Sequence, residues 1–169
     1  MKSVLLLCLL SVSLVFGDEG NPKIDYEGFK KLTQEVEDVR ASNRVSEADF
    51  LKMAAEEGTV ILDTRSREKY EELHVKGAIH LNFSDFSAES LAALIPDKAT
   101  RILIYCNNNF GNEPMLFAEK GAAVALNVPT FINLHAYGYE NVFELMPFLN
   151  VKTAKIPFAG STISKRVAE

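Results

Sequence analysis

The sequence predicts an α/β domain whose mostly parallel β-sheet is covered by helices on both faces. Short apolar runs typical of buried strands alternate along the chain with stretches in which apolar residues recur at helical spacing. This alternation favours a parallel sheet, because the helix that connects two parallel strands packs on one face of the sheet. The chain has 169 residues, of which 47% are hydrophobic and 24% are charged, which suits one domain with a buried core.

The first residues are typical of a signal peptide. Met1-Lys2 supplies a positive start, and the apolar stretch 4–16 is too short to span a bilayer comfortably. Val15 and Gly17 are short enough to precede a cleavage site. We therefore expect residues 1–17 to be a signal peptide and the protein to be exported, either periplasmic or secreted. An uncleaved anchor is the alternative.

Only one cysteine would remain after that cleavage. Cys8 lies inside the predicted signal peptide, so its removal leaves Cys106, which cannot form an internal disulfide. A leftover cysteine in an exported protein is a candidate reactive thiol. The formal net charge of −5 argues against nucleic acid or an anionic membrane surface as a partner, so we expect neither after signal cleavage.

Residues 18–44 are predicted to form a polar linker and one amphipathic helix over 25–41. The apolar residues that recur at helical spacing are Tyr26, Phe29, Leu32, Val36 and Val39. We expect this helix to pack on the outside of the domain.

The alternating elements begin at Val45, and a capping box at Ser46 opens the next helix. The predicted strands are 59–62, 78–82, 101–106 and 130–134, and the predicted helices between and after them end near Gly58, Glu72, Leu94, Asn127 and Leu145. Ligands of parallel sheets bind beyond the carboxyl ends of the strands. We therefore expect the strand ends at Asp63, Cys106 and Leu134 to share one rim, with Cys106 at its centre.

Cys106 combines two features of a reactive thiol. An apolar strand ends at this residue, and a turn-forming loop follows it, formed by Asn107, Asn108, Asn109, Phe110, Gly111 and Asn112. Asn and Gly allow a loop to curl so that its backbone N–H groups point inward, and such a loop beside a helix start binds anions. We therefore expect the loop and a helix that starts at Glu113 to lower the pKa of the Cys106 thiol. The alternative is a buried, inert cysteine.

Four segments of the chain resemble the rhodanese-like family, and the resemblance covers about Val45 to Leu149. They are Val60-Ile61-Leu62-Asp63-Thr64-Arg65 with the family's D-x-R strand end, the segment 72–79, Ile104-Tyr105-Cys106 with its loop, and the turn 136–140. The resemblance implies a rhodanese-like domain over 45–149, followed by a C-terminal extension over 150–169.

The same resemblance implies a sulfurtransferase in which Cys106 carries a sulfane sulfur as a persulfide. Backbone N–H groups of Asn107 to Asn112 would hold that persulfide. The implied partners are a small sulfur donor or a protein persulfide, and a thiol or another nucleophile as acceptor. No cofactor is implied, and the spacing of the three histidines and Cys106 does not suggest a zinc site.

The loop after Cys106 departs from many thiosulfate-using members of the family because it contains neither Arg nor Lys. We therefore expect thiosulfate to be a poor donor, and an Arg placed at Asn109 or Asn112 to improve its use. A cysteine phosphatase would need Arg in a Cys-x5-Arg motif, where this chain has Asn112. A non-catalytic binding module for a partner or a small anion is the main alternative.

Further candidates for the rim of the site are Asp63, Arg65 and His135. Arg65 is the nearest candidate cation, although an ion pair with Asp63 is the competing interpretation. His135 follows a predicted strand end, which would place it on the same rim as Cys106.

Overall fold

The computed structural model describes residues 21–168 of the chain. The predicted signal peptide at 1–17 therefore lies outside the described residues. Within the described range, none of the helices is both long and apolar enough to cross a membrane.

The regular elements are short and alternate along most of the chain. The helices are α1 (Tyr26–Glu35), α2 (Glu37–Ser42), α3 (Glu47–Ala54), α4 (Arg67–Glu72), α5 (Ala88–Leu94), α6 (Asn127–Ala136) and α7 (Ser161–Ala168). The strands are β1 (Arg44–Val45), β2 (Val60–Asp63), β3 (His74–Val75), β4 (Ile79–His80), β5 (Ile102–Tyr105), β6 (Phe110–Gly111), β7 (Val142–Leu145), β8 (Leu149–Asn150) and β9 (Phe158–Ala159).

A five-stranded parallel sheet with the order β1-β7-β5-β2-β4 forms the centre of the domain. Apolar side chains from helices pack on both of its faces. Phe50 of α3 belongs to the core cluster on one face, and Leu91 of α5 and Phe131 of α6 belong to the cluster on the other. The predicted α/β fold with a mostly parallel sheet and helices on both faces is confirmed.

The N-terminal helical segment packs against the sheet as two helices. The predicted helix over 25–41 is divided at Val36, which lies between α1 and α2 and is 2% exposed. The chain then enters β1, which pairs with β7 so that Arg44 lies opposite Glu144. This edge strand precedes the predicted capping box at Ser46. The N-cap half of that box is confirmed by the hydrogen bond from the Asp49 N–H to the Ser46 hydroxyl at 3.2 Å, whereas the Asp49 carboxylate accepts from the Ser46 hydroxyl at 2.7 Å.

The prediction for residues 113–145 is wrong in its order of helix and strand. No regular helix starts at Glu113, and the predicted strand over 130–134 lies inside helix α6. The predicted last helix over 139–145 contains strand β7 instead. Residues 142–145 form a strand because β7 lies between β1 and β5 in the sheet. In this position a strand gains hydrogen bonds and apolar contacts on both sides.

The C-terminal segment is an integral part of the domain. Strand β9 pairs antiparallel with β3, and β8 pairs with β6. The ring of Phe158 packs edge-on against Phe110, with 5.1 Å between their centroids. The predicted extension over 150–169 therefore contributes, through its described part, to the same core as the sheet.

Candidate active site

Cys106 follows the central strand β5, at the carboxyl edge of the sheet. The neighbouring strand β2 ends in register with β5, because Asp63 is paired with Tyr105. The predicted juxtaposition of the Asp63 and Cys106 strand ends is therefore confirmed. The third strand end at this edge is Leu145 of β7, and not Leu134 as predicted.

Helix α6 presents its N-terminus to the Cys106 thiol. Backbone N–H groups of Asn127, Asn108 and Leu126 lie close enough to the Cys106 sulfur to lower the pKa of its thiol. No side chain caps this helix start, and Pro129 in the first turn has no N–H to leave unsatisfied. The helix dipole and these N–H groups together favour a negative charge on the sulfur.

The Cys106 thiol is nevertheless hard to ionise in the absence of a ligand. Burial raises its pKa, since the residue is 1% exposed, and the negative charge of Glu144 raises it further. The N–H groups of Asn127, Asn108 and Leu126 oppose this effect without cancelling it, so the pKa lies above the ordinary value. The expected lowered pKa is therefore wrong.

The loop from Asn107 to Asn112 does not form a continuous cradle around the sulfur. Phe110 is a fully buried core residue, and Gly111 belongs to strand β6. Asn112 lies beyond that strand, with a left-handed φ of 67°. Of the N–H groups that lower the thiol pKa most, one belongs to the loop, at Asn108, and two come from Leu126 and Asn127. The predicted cradle is wrong over its second half.

Asn109 holds the loop in place. Its side-chain oxygen accepts hydrogen bonds from the Cys106 N–H at 2.9 Å and from the Asn127 amide at 3.0 Å. Its amide nitrogen donates to the carbonyl of Leu145 at 2.7 Å. Asn109 is 5% exposed, so an Arg at this position would lose these bonds and bury a charge. The expected gain in thiosulfate use required the loop to keep its shape, and an Arg at Asn109 would remove the hydrogen bonds that hold that shape.

Asn108 and Asn107 lie on different sides of the same turn. The Asn108 side chain forms two hydrogen bonds with the backbone of Lys120, at 2.7 and 2.9 Å. These bonds hold together the two ends of the segment 108–120. Asn107 lines a neighbouring cavity that Lys69 also lines. The six predicted loop residues therefore divide between the sulfur, the core and a second cavity.

A pocket of about 270 Å³ opens next to Cys106, and its charged residues were missed by the sequence analysis. Arg40 of α2, Arg44 of β1 and Glu144 of β7 line it together with Cys106. The Glu144 side chain is 6% exposed and lies between the two arginines. The electrostatic groups that the loop lacks therefore come from the N-terminal segment.

Arg40 and Arg44 contact Glu144 differently. The Arg40 Nη2 donates to Glu144 Oε1 at 2.9 Å and lies 2.6 Å from Oε2, the second contact being a close ion pair without hydrogen-bond geometry. The Arg44 Nε lies 3.8 Å from Oε1, which is beyond hydrogen-bond distance. Arg40 is thus anchored to the sheet, whereas Arg44 is held loosely.

Asp63 and Arg65 form a buried structural ion pair. The Arg65 Nη2 lies 2.6 Å from Asp63 Oδ2, and both side chains are at most 1% exposed. The guanidinium also donates to the carbonyls of Leu73 at 2.6 Å and Leu116 at 3.1 Å. Burial alone would lower the Arg65 pKa, but the hydrogen bond and charge of Asp63 outweigh it and raise that pKa. The competing interpretation is confirmed, and neither residue is available at the rim.

His135 does not reach the site. It lies in the last turn of α6, whereas the Cys106 sulfur is at the first turn of that helix. A ten-residue helix is about 15 Å long, so the two ends are well separated. The expectation that His135 lies at the rim rested on a strand over 130–134. It is wrong because these residues lie inside helix α6. Within residues 21–168, no three His, Cys, Asp or Glu side chains are grouped so as to hold a metal ion.

Comparisons with known proteins agree with this architecture. The family model of the rhodanese-like domain matches residues 46–146, which is more than half of the chain. The solution structure of a rhodanese-like domain from Anabaena is 21% identical and has a TM-score of 0.52, with 73% of this chain and 83% of that chain covered. No curated protein matches the chain in sequence.

Two other solved structures are similar over different shares of their length. A Bacillus halodurans protein is 19% identical with a TM-score of 0.49, over 88% of this chain and 100% of that chain. A thiosulfate sulfurtransferase from Pseudomonas aeruginosa is 19% identical with a TM-score of 0.49, over 78% of this chain but 23% of that chain. Because the family model matches more than half of the chain, and the parallel sheet with Cys106 at its edge agrees with it, we conclude that the chain belongs to the rhodanese-like family.

Proposed function

We propose that this protein is an exported sulfurtransferase in which Cys106 accepts a sulfane sulfur and passes it to a second nucleophile. The observation that carries the proposal is the position of the Cys106 sulfur. It meets the uncapped start of α6 at the edge of a pocket that contains Arg40 and Arg44. These groups favour negative charge on a sulfur species bound at Cys106.

The transfer takes place in two displacements without net oxidation. The Cys106 thiolate attacks the sulfane sulfur of the donor, and a new S–S bond forms as the donor's bond to that sulfur breaks. The donor's remainder leaves with the bonding electron pair, as a thiolate, a sulfinate or sulfite. A nucleophilic acceptor then attacks the outer sulfur and takes it, which restores the Cys106 thiolate.

The residues around Cys106 contribute most after the sulfur has been transferred. The outer sulfur of a persulfide carries the negative charge, and the N–H groups of Asn108, Leu126 and Asn127 are placed to stabilise that charge. The raised pKa of the free thiol has the opposite influence on the first step. A donor must therefore bind close enough to the arginines to offset the charge of Glu144.

A non-catalytic binding module is the second candidate function. The specific observation that favours it is the burial of Cys106, which is 1% exposed and has a raised pKa. Such a thiol is a weak nucleophile unless a ligand changes its surroundings. The cysteine phosphatase alternative gains no support, because Asn112 occupies the arginine position and lies beyond β6.

A turnover assay separates the two candidates. The purified protein is mixed with a low-molecular-weight persulfide as donor and cyanide as acceptor, and thiocyanate is measured. We expect turnover above the uncatalysed rate, lost in Cys106→Ser. A binding module would give no thiocyanate above background with any donor, while the wild type and Cys106→Ser would melt at similar temperatures.

A further inference from the structure

The two arginines of the Cys106 pocket come from a part of the chain that precedes the family domain. Arg40 and Arg44 both lie before residue 46, where the match to the family model begins. They reach the pocket because β1 pairs with β7, and β7 pairs with β5. The register aligns Arg44 with Glu144, and Glu144 with Ile104, two residues before Cys106. The pocket is therefore completed by the N-terminal segment.

Arg44 is the arginine that remains available to a ligand. Its side chain is 41% exposed, compared with 25% for Arg40. In the described part of the chain, its guanidinium donates no hydrogen bond to another side chain or to a carbonyl, and its ion pair with Glu144 is long at 3.8 Å. Arg40, in contrast, joins α2 to the sheet through both oxygens of Glu144.

The charges in the pocket favour a ligand with one negative charge. The guanidinium groups of Arg40 and Arg44 contribute two positive charges, and the buried Glu144 carboxylate cancels one of them. A monoanion would balance the remaining charge, whereas a second negative charge would face the Glu144 carboxylate. Two strand spacings, roughly 10 Å, separate Arg44 from the strand of Cys106, which leaves room for a small donor between the guanidinium and the sulfur.

We propose that Arg44 is a specificity-determining residue that holds the charged group of a monoanionic sulfur donor, of the thiosulfonate class, while the donor's sulfane sulfur faces Cys106. This inference rests on the proposed function. The Cys106 thiolate forms a bond to the sulfane sulfur of the thiosulfonate, the S–S bond of the donor breaks, and a sulfinate leaves with the electron pair. Charge and oxidation state balance, and no further reactant is needed.

Alkylation of Cys106 tests the charge recognition without any sulfur transfer. Iodoacetate is an anion and iodoacetamide is neutral. The same thiolate attacks the CH2 carbon of both and displaces iodide, so the ratio of their rates is independent of the thiol pKa. The rates are measured on the Cys106 peptide by mass spectrometry. We expect a higher iodoacetate-to-iodoacetamide ratio than for free cysteine, and a fall of about three- to tenfold in Arg44→Gln. Arg101→Gln, which removes an arginine at the opposite end of β5, is the matched control and should leave the ratio unchanged.

Salt dependence of the unmodified protein provides a second measurement that does not depend on how the variant folds. The ratio should fall toward that of free cysteine as salt is added, because Arg44 is partly exposed and is screened. An unchanged ratio in a folded Arg44→Gln, or a salt-independent ratio in the wild type, would overturn the role of Arg44. Either result would leave the proposed sulfur transfer standing, since thiocyanate formation is measured separately.

The donor class is tested with two compounds that differ by one charge. Methanethiosulfonate has a methyl group in place of one charged oxygen of thiosulfate, and the transferred sulfur is the same. We expect kcat/KM to be higher for methanethiosulfonate, and Arg44→Gln to raise its KM about three- to tenfold while kcat changes little. A preference for thiosulfate, or a loss confined to kcat, would contradict the proposal.

Discussion

The side-chain oxygen of Asn109 accepts a 2.9 Å hydrogen bond from the backbone N–H of Cys106. The same oxygen accepts from Asn127, at the start of helix α6, and the amide nitrogen donates to Leu145 at the end of strand β7. One buried side chain therefore connects the nucleophile candidate to the helix and to the adjacent strand. The geometry of the site depends on this connection.

Replacing Asn109 with Ala should destabilise the protein. The change leaves the Cys106 N–H and the Leu145 carbonyl without their partner in a buried position, at a cost of about 2–4 kcal/mol in the free energy of unfolding. Denaturation by urea measures this cost. Asn107→Ala is the matched control, because Asn107 is partly exposed, and it should change the free energy by much less. Equal stabilities for the two variants would contradict the role given to Asn109.

The alkylation rate of Cys106 should rise at a higher pH than the alkylation rate of free cysteine. Burial and the charge of Glu144 raise the thiol pKa, so the rate of alkylation by iodoacetamide should reach half its maximum at a higher pH than it does for free cysteine. Glu144→Gln removes the like charge and should move the midpoint to lower pH. A midpoint below that of free cysteine would contradict this account of the thiol.

The raised pKa of the Cys106 thiol should make the stability of the protein depend on pH. A raised thiol pKa in the folded state means that the folded protein holds the proton more tightly than the unfolded chain. This stabilisation is fully present below the unfolded pKa and is lost as the pH rises through the folded pKa. As the pH rises above the pKa of the thiol in the unfolded chain, the free energy of unfolding should therefore fall less steeply in Cys106→Ser than in the wild type.

The ion pair of Asp63 and Arg65 should matter for folding and not for donor recognition. Asp63→Asn leaves a buried guanidinium without its counter-charge, which should cost about 3–5 kcal/mol in the free energy of unfolding. Glu71→Gln breaks an exposed ion pair with Arg67 and should leave stability nearly unchanged. If Asp63→Asn were as stable as the wild type and had an altered KM for donors, the structural role given to Asp63 and Arg65 would be contradicted, and both residues would belong to the substrate site.

Export remains a prediction from the sequence. The apolar stretch 4–16 and the short residues Val15 and Gly17 predict a mature N-terminus at Asp18. N-terminal sequencing of the protein isolated from its own source measures this directly. A chain that retains Met1 in a cytoplasmic fraction would contradict it.

The sequence alone predicted the strand ends at Asp63 and Cys106, because each follows an apolar run that can only be buried. It failed where tertiary contacts outweigh local pattern, as in β7, whose Glu144 is buried only because Arg40 neutralises it. Gly138, with a left-handed φ of 83°, ends helix α6 and was the local signal that could have identified that helix.

No local pattern indicated that Arg40 and Arg44 line the pocket of Cys106. Their position depends on the pairing of β1 with β7. These two strands are neighbours in the sheet but lie far apart in the sequence. The sequence named Arg65 as the nearest candidate cation for the neutral loop, whereas the arginines that line the pocket are Arg40 and Arg44.

Persulfide formation at Cys106 can be read from the mass of the Cys106 peptide after incubation with a sulfane sulfur donor and removal of the excess. We expect an added mass of one sulfur atom on Cys106, lost again when cyanide or a thiol is added, and absent from Cys106→Ser. A Cys106 peptide of unchanged mass, from folded protein treated with persulfide and with methanethiosulfonate, would contradict the proposed sulfur transfer.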